Sequence, residues 1–187
     1  DRSVSRGLGD VYKRQAYKPK TNSITNSQVL FEDYSFIKAR LVLKEMVEVG
    51  SLRLIESNLV TDTVGLYIGY SKNTIKATGG TRKLTNYTNI YSELLKAFLE
   101  IYDKTTDTDI PIRRIGVNFA NVIEAESVQL SLFIDQERID EERKLELAMC
   151  SIKNKMGKNA IIRGMDLEDG ATTIMRNKLI GGHNSGE

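Results

Sequence analysis

Alternating and helically spaced apolar positions take turns along most of this chain. "KTNSITNSQVLF" (20–31) alternates, is rich in Ser and Thr and holds no acid. It predicts a strand with one hydroxyl-lined face: Ser23, Thr25 and Ser27. Asp33 or Ser35 can then cap a helix in which Phe36, Ala39, Val42, Leu43, Met46 and Val47 share one side. Gly50 interrupts this pattern where a stronger helix former is expected, but Leu54 resumes it. The helix is therefore predicted to run through Gly50 and to stop at Asn58. "TDTVGLYIGY" (61–70) predicts a strand with Val64, Leu66, Ile68 and Tyr70 towards a core. Thr63, Gly65, Tyr67 and Gly69 face the other way, a small polar surface that another backbone can approach closely. A return strand is predicted over 74–88, with Gly79 and Gly80 marking a bulge or irregularity. An amphipathic helix follows over 89–104, carrying Leu94, Leu95, Phe98, Leu99 and Tyr102. The last strand spans 111–122, with Ile115, Val117 and Phe119 inward and Arg114, Gly116 and Asn118 outward.

This order predicts an α+β domain of split β-α-β-β-α-β type: a four-stranded sheet with two helices on one face and the other face open. Residues 134–157 read as a further helix with Leu145, Ala148, Met149, Ile152 and Met156 as its apolar stripe, and with Asp140 and Glu141 on a solvated face. The tail holds a short apolar run at 160–162, then loop-like residues. The opening "DRSVSRGLGDVYKRQ" (1–15) begins with Asp, follows neither period and reads as a foreign leader.

Composition narrows the function. The 187 residues are 40% hydrophobic and 28% charged, ordinary for a globular chain. No run approaches the roughly 18 apolar residues of a membrane span, so no membrane partner is expected. The single cysteine, Cys150, excludes an internal disulfide and a cysteine-rich zinc site. It reads as a packed or half-exposed thiol, and a cytoplasmic setting is expected. The single histidine, His183, cannot build a triad or a histidine metal pair, and no P-loop or dinucleotide fingerprint is present. No catalytic residue and no metal ligand is assigned.

The net charge is only +2, but it is unevenly spread. Residues 71–92 hold Lys72, Lys76, Arg82 and Lys83 and no acid; residues 11–31 also lack acids and hold Lys18 and Lys20; Arg113 and Arg114 open the last strand. Lys20, Ser23, Thr25, Ser27, Lys72, Lys76, Arg82, Lys83, Arg113 and Arg114 thus bring cations and hydroxyls to the strands. Such groups bind phosphate oxygens. The competing reading is a solvated basic face without a ligand. "VQLSLF" (128–133) also leaves two readings: a short buried strand, or a linear peptide that docks its apolar residues into a partner's pocket while Gln129 supplies polar specificity.

Several motifs together decide the family resemblance: "YKPKTNSITNSQVLF", "VGLYIGYSK", "IPIRRIGVNFANV", "QLSLF" and the tail "KNAIIRG…GATTIMRNKLIGGH". From residue 16 to 187 the chain resembles the C-terminal part of Y-family translesion DNA polymerases, of the UmuC/DinB-like Gram-positive kind. The resemblance implies a thumb-to-little-finger linker (16–22) and a little finger (23–124) that lays its strand-rich face on primer–template DNA. It implies a clamp-binding linker (125–135) and a C-terminal helix and tail (136–187). Gln129, Leu130, Ser131, Leu132 and Phe133 match the family's clamp-binding peptide, so the sliding clamp is the implied partner. Gln129 would enter a polar subsite, while Leu132 and Phe133 would fill an apolar pocket. The implied setting is DNA damage, the SOS response, translesion synthesis and DNA repair. The family's metal-binding carboxylates lie upstream, in the palm. The fragment alone is therefore expected to be inactive and to need no cofactor, with magnesium serving the intact polymerase, and to be a monomer. The alternatives are a stand-alone nucleic-acid-binding regulatory domain and a structural adaptor whose basic face is incidental.

Overall fold

In the computed structural model, residues 22–71, 75–127 and 136–179 are described. The elements are β1 (Ser23–Tyr34), α1 (Phe36–Glu56), β2 (Leu59–Tyr70), β3 (Thr78–Thr88), α2 (Tyr91–Thr105), β4 (Ile112–Ala120), β5 (Ile123–Glu124), α3 (Gln136–Met156) and α4 (Thr173–Arg176). The main sheet has the order β1-β4-β2-β3, and every neighbouring pair is antiparallel. β1 and β2 therefore run parallel with β4 between them, and β3 and β4 run parallel with β2 between them. Each parallel pair is joined by a helix, because a parallel connection needs a crossover. These are two interlocked split βαβ units, as the element order predicts. β5 is an addition: it pairs with the start of β2 through Leu59 and Val60.

The core lies between the sheet and α1 with α2. Val42, Leu43, Met46, Leu94, Phe98 and Tyr102 meet Val64, Ile68, Ile115 and Phe119, all fully buried. Ser35 caps α1, its hydroxyl accepting from the Lys38 N–H at 3.4 Å. The helix continues through Gly50, as expected, and ends before Asn58, which takes φ 53. Gly50 is explained by packing: a Cβ there would lie 2.2 Å from the Phe119 ring. The expected irregularity at Gly79 and Gly80 lies elsewhere. β2–β3 pairing is continuous across both glycines and shifts register between Thr61 and Thr63. Gly79 is required instead by its φ of 125 and by the Leu66 carbonyl, 2.0 Å from where its Cβ would be.

α3 docks on the helical side of this domain through only part of the expected stripe. Met149 is buried and Ile152 half-buried, but Leu145, Ala148 and Met156 are exposed, and Glu146, outside the stripe, is buried. The cause is the start of α2, where no side chain caps the helix. Its first free N–H groups find carboxylates on α3 instead. The Tyr91 N–H donates to Glu146 Oε1 at 3.3 Å, and the Ser92 N–H to Glu142 Oε1 at 2.9 Å. Cys150 packs against α1, its thiol 3.7 Å from the Leu52 carbonyl, and burial pushes its pKa up.

The tail returns to α1 by the same device. Buried Glu45 accepts from the Thr172 and Thr173 N–H groups at 2.9 Å and from the Thr172 hydroxyl at 2.7 Å, capping α4 from outside. Arg163 sits over the Tyr91 ring at 4.3 Å, between Glu48 at 3.4 Å and Glu146 at 3.7 Å. Among the described residues no helix is long and apolar enough to cross a membrane.

Candidate nucleic-acid interface

The sheet face opposite α1 and α2 is uncovered, and the strand register sets its contents. One row crosses the sheet as Thr25, Asn118, Gly65 and Thr81. The next holds Ser27, Gly116, Tyr67 and Gly79; a third holds Val29, Arg114 and Gly69. Ser23, Ala120, Thr63 and Lys83 form a row on the other side of Thr25. The Thr25 hydroxyl donates to Asn118 Oδ1 at 2.9 Å. Glycines at 65, 69 and 116 keep the middle of the face low: a Cβ on Gly69 would lie 3.2 Å from Arg114 Cβ. The result is a shallow depression floored by backbone and lined by Thr25, Ser27, Tyr67, Thr81, Arg114 and Asn118. Donors and small residues on a concave sheet suit a phosphate backbone lying across it.

The expected site residues divide. Ser23, Thr25, Ser27, Lys83 and Arg114 all lie on this face. Lys76 is exposed just before β3. Arg82 does not join them. It pairs with Val64, whose side chain faces the core, so its own side chain points to the helical side and forms an ion pair with Glu100 of α2. Arg113 falls where the β4 pairing shifts register, 3.5 Å from Asp33. Lys83 lies 3.7 Å from Asp62 and stays largely exposed. Among the described residues, Lys76 and Arg114 have no carboxylate at ion-pair distance. Lys20, Lys72 and Gln129 to Phe133 lie outside the described residues, as do the leader, most of the 16–22 linker and His183.

Sequence reasoning left Tyr67, Thr81 and Asn118 out of the site. Alternation places Tyr67 and Asn118 outward, but only the register brings Thr81 beside them. Val29 and Phe31 are also half exposed on β1, at 56% and 49%.

The family model for the C-terminal domain of the impB/mucB/samB family matches residues 21–132. This chain belongs to that family. Its relatives agree. UvrX of Bacillus subtilis (strain 168), named as a UV-damage repair protein, is 32% identical over 168 residues, 87% of this chain and 39% of that protein. DNA polymerase IV 2 of Halalkalibacterium halodurans is 33% identical over 169 residues, 88% of this chain and 40% of that one. The chain thus spans about two-fifths of the curated relatives it matches. Its Y-family resemblance is upheld by these matches. A solved complex of the β-clamp processivity factor with the little finger domain of PolIV aligns over 60% of this chain and 100% of that chain, at 12% identity and a TM-score of 0.44. The matched family domain takes in the whole β1–β5 sheet, while α3 and the tail lie beyond it.

Proposed function

We propose that this chain is the DNA-holding and clamp-docking part of a translesion polymerase, acting as a cytoplasmic, monomeric module in DNA repair and the SOS response. The observation that carries the reading is the open sheet face. Hydroxyls, glycine backbone and Arg114 are gathered on one surface, with exposed Lys76 beside it. A polymerase must move over any sequence, so contact with phosphate rather than base edges suits it. The polymerisation chemistry is assigned to the part of the relatives that this chain does not span. Among the described residues no group of His, Cys, Asp or Glu is arranged to hold a metal, and the magnesium expected for the intact polymerase would be held in that other part. Clamp docking rests on "QLSLF" at 129–133 within this family, with Leu132 and Phe133 as its anchors.

The test of the face is the salt dependence of primer–template binding. Lys76→Ala/Lys83→Ala/Arg114→Ala should weaken binding and flatten its salt slope by about one unit per lost phosphate contact. Arg82→Ala, on the opposite side, should leave the slope unchanged. A triple variant with the wild-type slope would refute the assignment. For the clamp, Leu132→Ala/Phe133→Ala should cost on the order of 2 kcal/mol, roughly thirtyfold in affinity, at an unchanged melting temperature. A large drop in melting temperature would make the stretch an ordinary buried strand.

A further inference from the structure

The helical side carries a second concave surface. A cleft lies where α1, the end of α3 and α4 meet. Its floor is apolar, made by Val49 and Leu52 of α1 and Cys150 of α3. Its cations divide: Arg53 of α1 and Lys158 beyond α3 are exposed at its rim, whereas Lys153 of α3 and Arg176 of α4 lie partly buried in its wall. The two acids that line it are already engaged. Glu48 lies 3.8 Å from Lys153 and 3.4 Å from Arg163, and Glu56 accepts from Asn154 at 2.7 Å. Arg53 and Lys158 have no carboxylate at ion-pair distance among the described residues. Arg176 is fixed in place by Gln28 Oε1 at 2.7 Å. The wall is held too: Asn177 donates to Asn159 Oδ1 at 2.7 Å, tying α4 to the end of α3.

Lysines in the last turn of a helix offset its dipole, which accounts for Lys153. Arg53 and Arg176 likewise stand in the last turns of α1 and α4, so the dipoles place each cation singly. It is the packing of α1, α3 and α4 that gathers them, with Lys158 from beyond α3, around one cleft. Single-stranded nucleic acid is held by aromatic stacking as well as by cations. Among the described residues this cleft is lined by no aromatic side chain, and its apolar part is aliphatic and thiol. An apolar floor inside a cationic rim complements a peptide that carries apolar anchors between carboxylates.

We propose that this cleft docks an acidic, apolar-anchored peptide segment of a partner protein, with its apolar side chain on Val49 and Leu52 and its carboxylates at Arg53, Lys158 and Arg176. The cleft lies across the sheet from the open face, so peptide and DNA can be held together.

Fluorescence polarisation with the full chain tests this. The probe is a short labelled peptide alternating Asp or Glu with Leu or Phe. The comparators are the same peptide with Ser in place of Leu and Phe, and a labelled oligothymidylate. The Leu/Phe peptide should bind. Arg53→Glu/Lys158→Glu and Val49→Asp should each weaken it about tenfold or more. Lys76→Ala/Lys83→Ala/Arg114→Ala should not change it. Melting temperatures establish that each variant is folded, and the milder Arg53→Ala/Lys158→Ala should weaken binding by a smaller factor. The proposal is overturned by absence of peptide binding, or by unchanged affinity in folded Arg53 and Lys158 variants. Equal binding of the Ser peptide would reduce the cleft to a charge patch. Oligothymidylate binding that is lost with Arg53 and Lys158 would make nucleic acid the occupant.

Discussion

Gly50 shows how one missing Cβ can fix a packing distance. The added atom of Gly50→Ala would meet the Phe119 ring at 2.2 and 2.3 Å. That ring is fully buried and packs edge-on against Phe98 at 5.4 Å, so it has little room to turn. Alanine is the better helix former by about 1 kcal/mol. Overpacking a tight core costs about 1–3 kcal/mol. The clash should win, and Gly50→Ala should lower stability in a urea melt. Adding Phe119→Leu should recover part of the loss. A more stable Gly50→Ala variant would mean that α1 and β4 are further apart than described. From the sequence, Gly50 reads only as a weak point in a helix. Its partner lies 69 positions later, so no local pattern could supply the reason.

At the scale of elements, carboxylates that look solvent-bound serve as caps supplied from a distance. Glu45 holds the start of α4, while Glu142 and Glu146 hold the start of α2. Glu45→Gln keeps the shape but replaces charged acceptors with an amide that points a donor at donors. Hydrogen bonds to a charged group contribute about 1.5–3 kcal/mol. Amide hydrogens of Thr172 and Thr173 should then exchange about tenfold faster or more, while those of β2 and β4 keep their protection. Uniform acceleration across the chain would mean that Glu45 supports the whole domain rather than the tail.

Across the whole molecule, the α3–tail arm is joined to the sheet domain by a buried ionic cluster that should make its stability depend on pH. Burial, and after it the neighbouring Glu142, push the Glu146 carboxyl up to about 7; burial also raises Glu48. Arg163 and hydrogen bonds from Tyr91 and Ser51 work in the opposite direction without cancelling it. A carboxyl with a raised folded pKa takes up a proton on folding. Its contribution is present at low pH and is lost as pH rises through about 7. Glu146→Gln stays neutral throughout, so relative to the wild type it should gain on the order of 2 kcal/mol between about pH 5 and about pH 8. Denaturant melts across that range measure the difference. A constant gap between the two proteins would place Glu146 in water rather than in the joint.

The sequence by itself determined the order of the four main strands and three long helices, the inward side of β2 and β4, and the run of α1 through Gly50, because local period and burial decide all of these; the short β5 and α4 lay outside that reading. It also carried the family, through motifs spread over most of the chain. Tertiary structure alone decided three things. Arg82 turned to the helices because strand parity is fixed by register with β2, not by charge. α3 turned Glu146 rather than Leu145 inward because uncapped N–H groups at the start of α2 are stronger claimants than a weak apolar stripe. The cleft beside Val49 exists because α1, α3 and α4, separate in sequence, are drawn together by buried acids that no periodicity reveals.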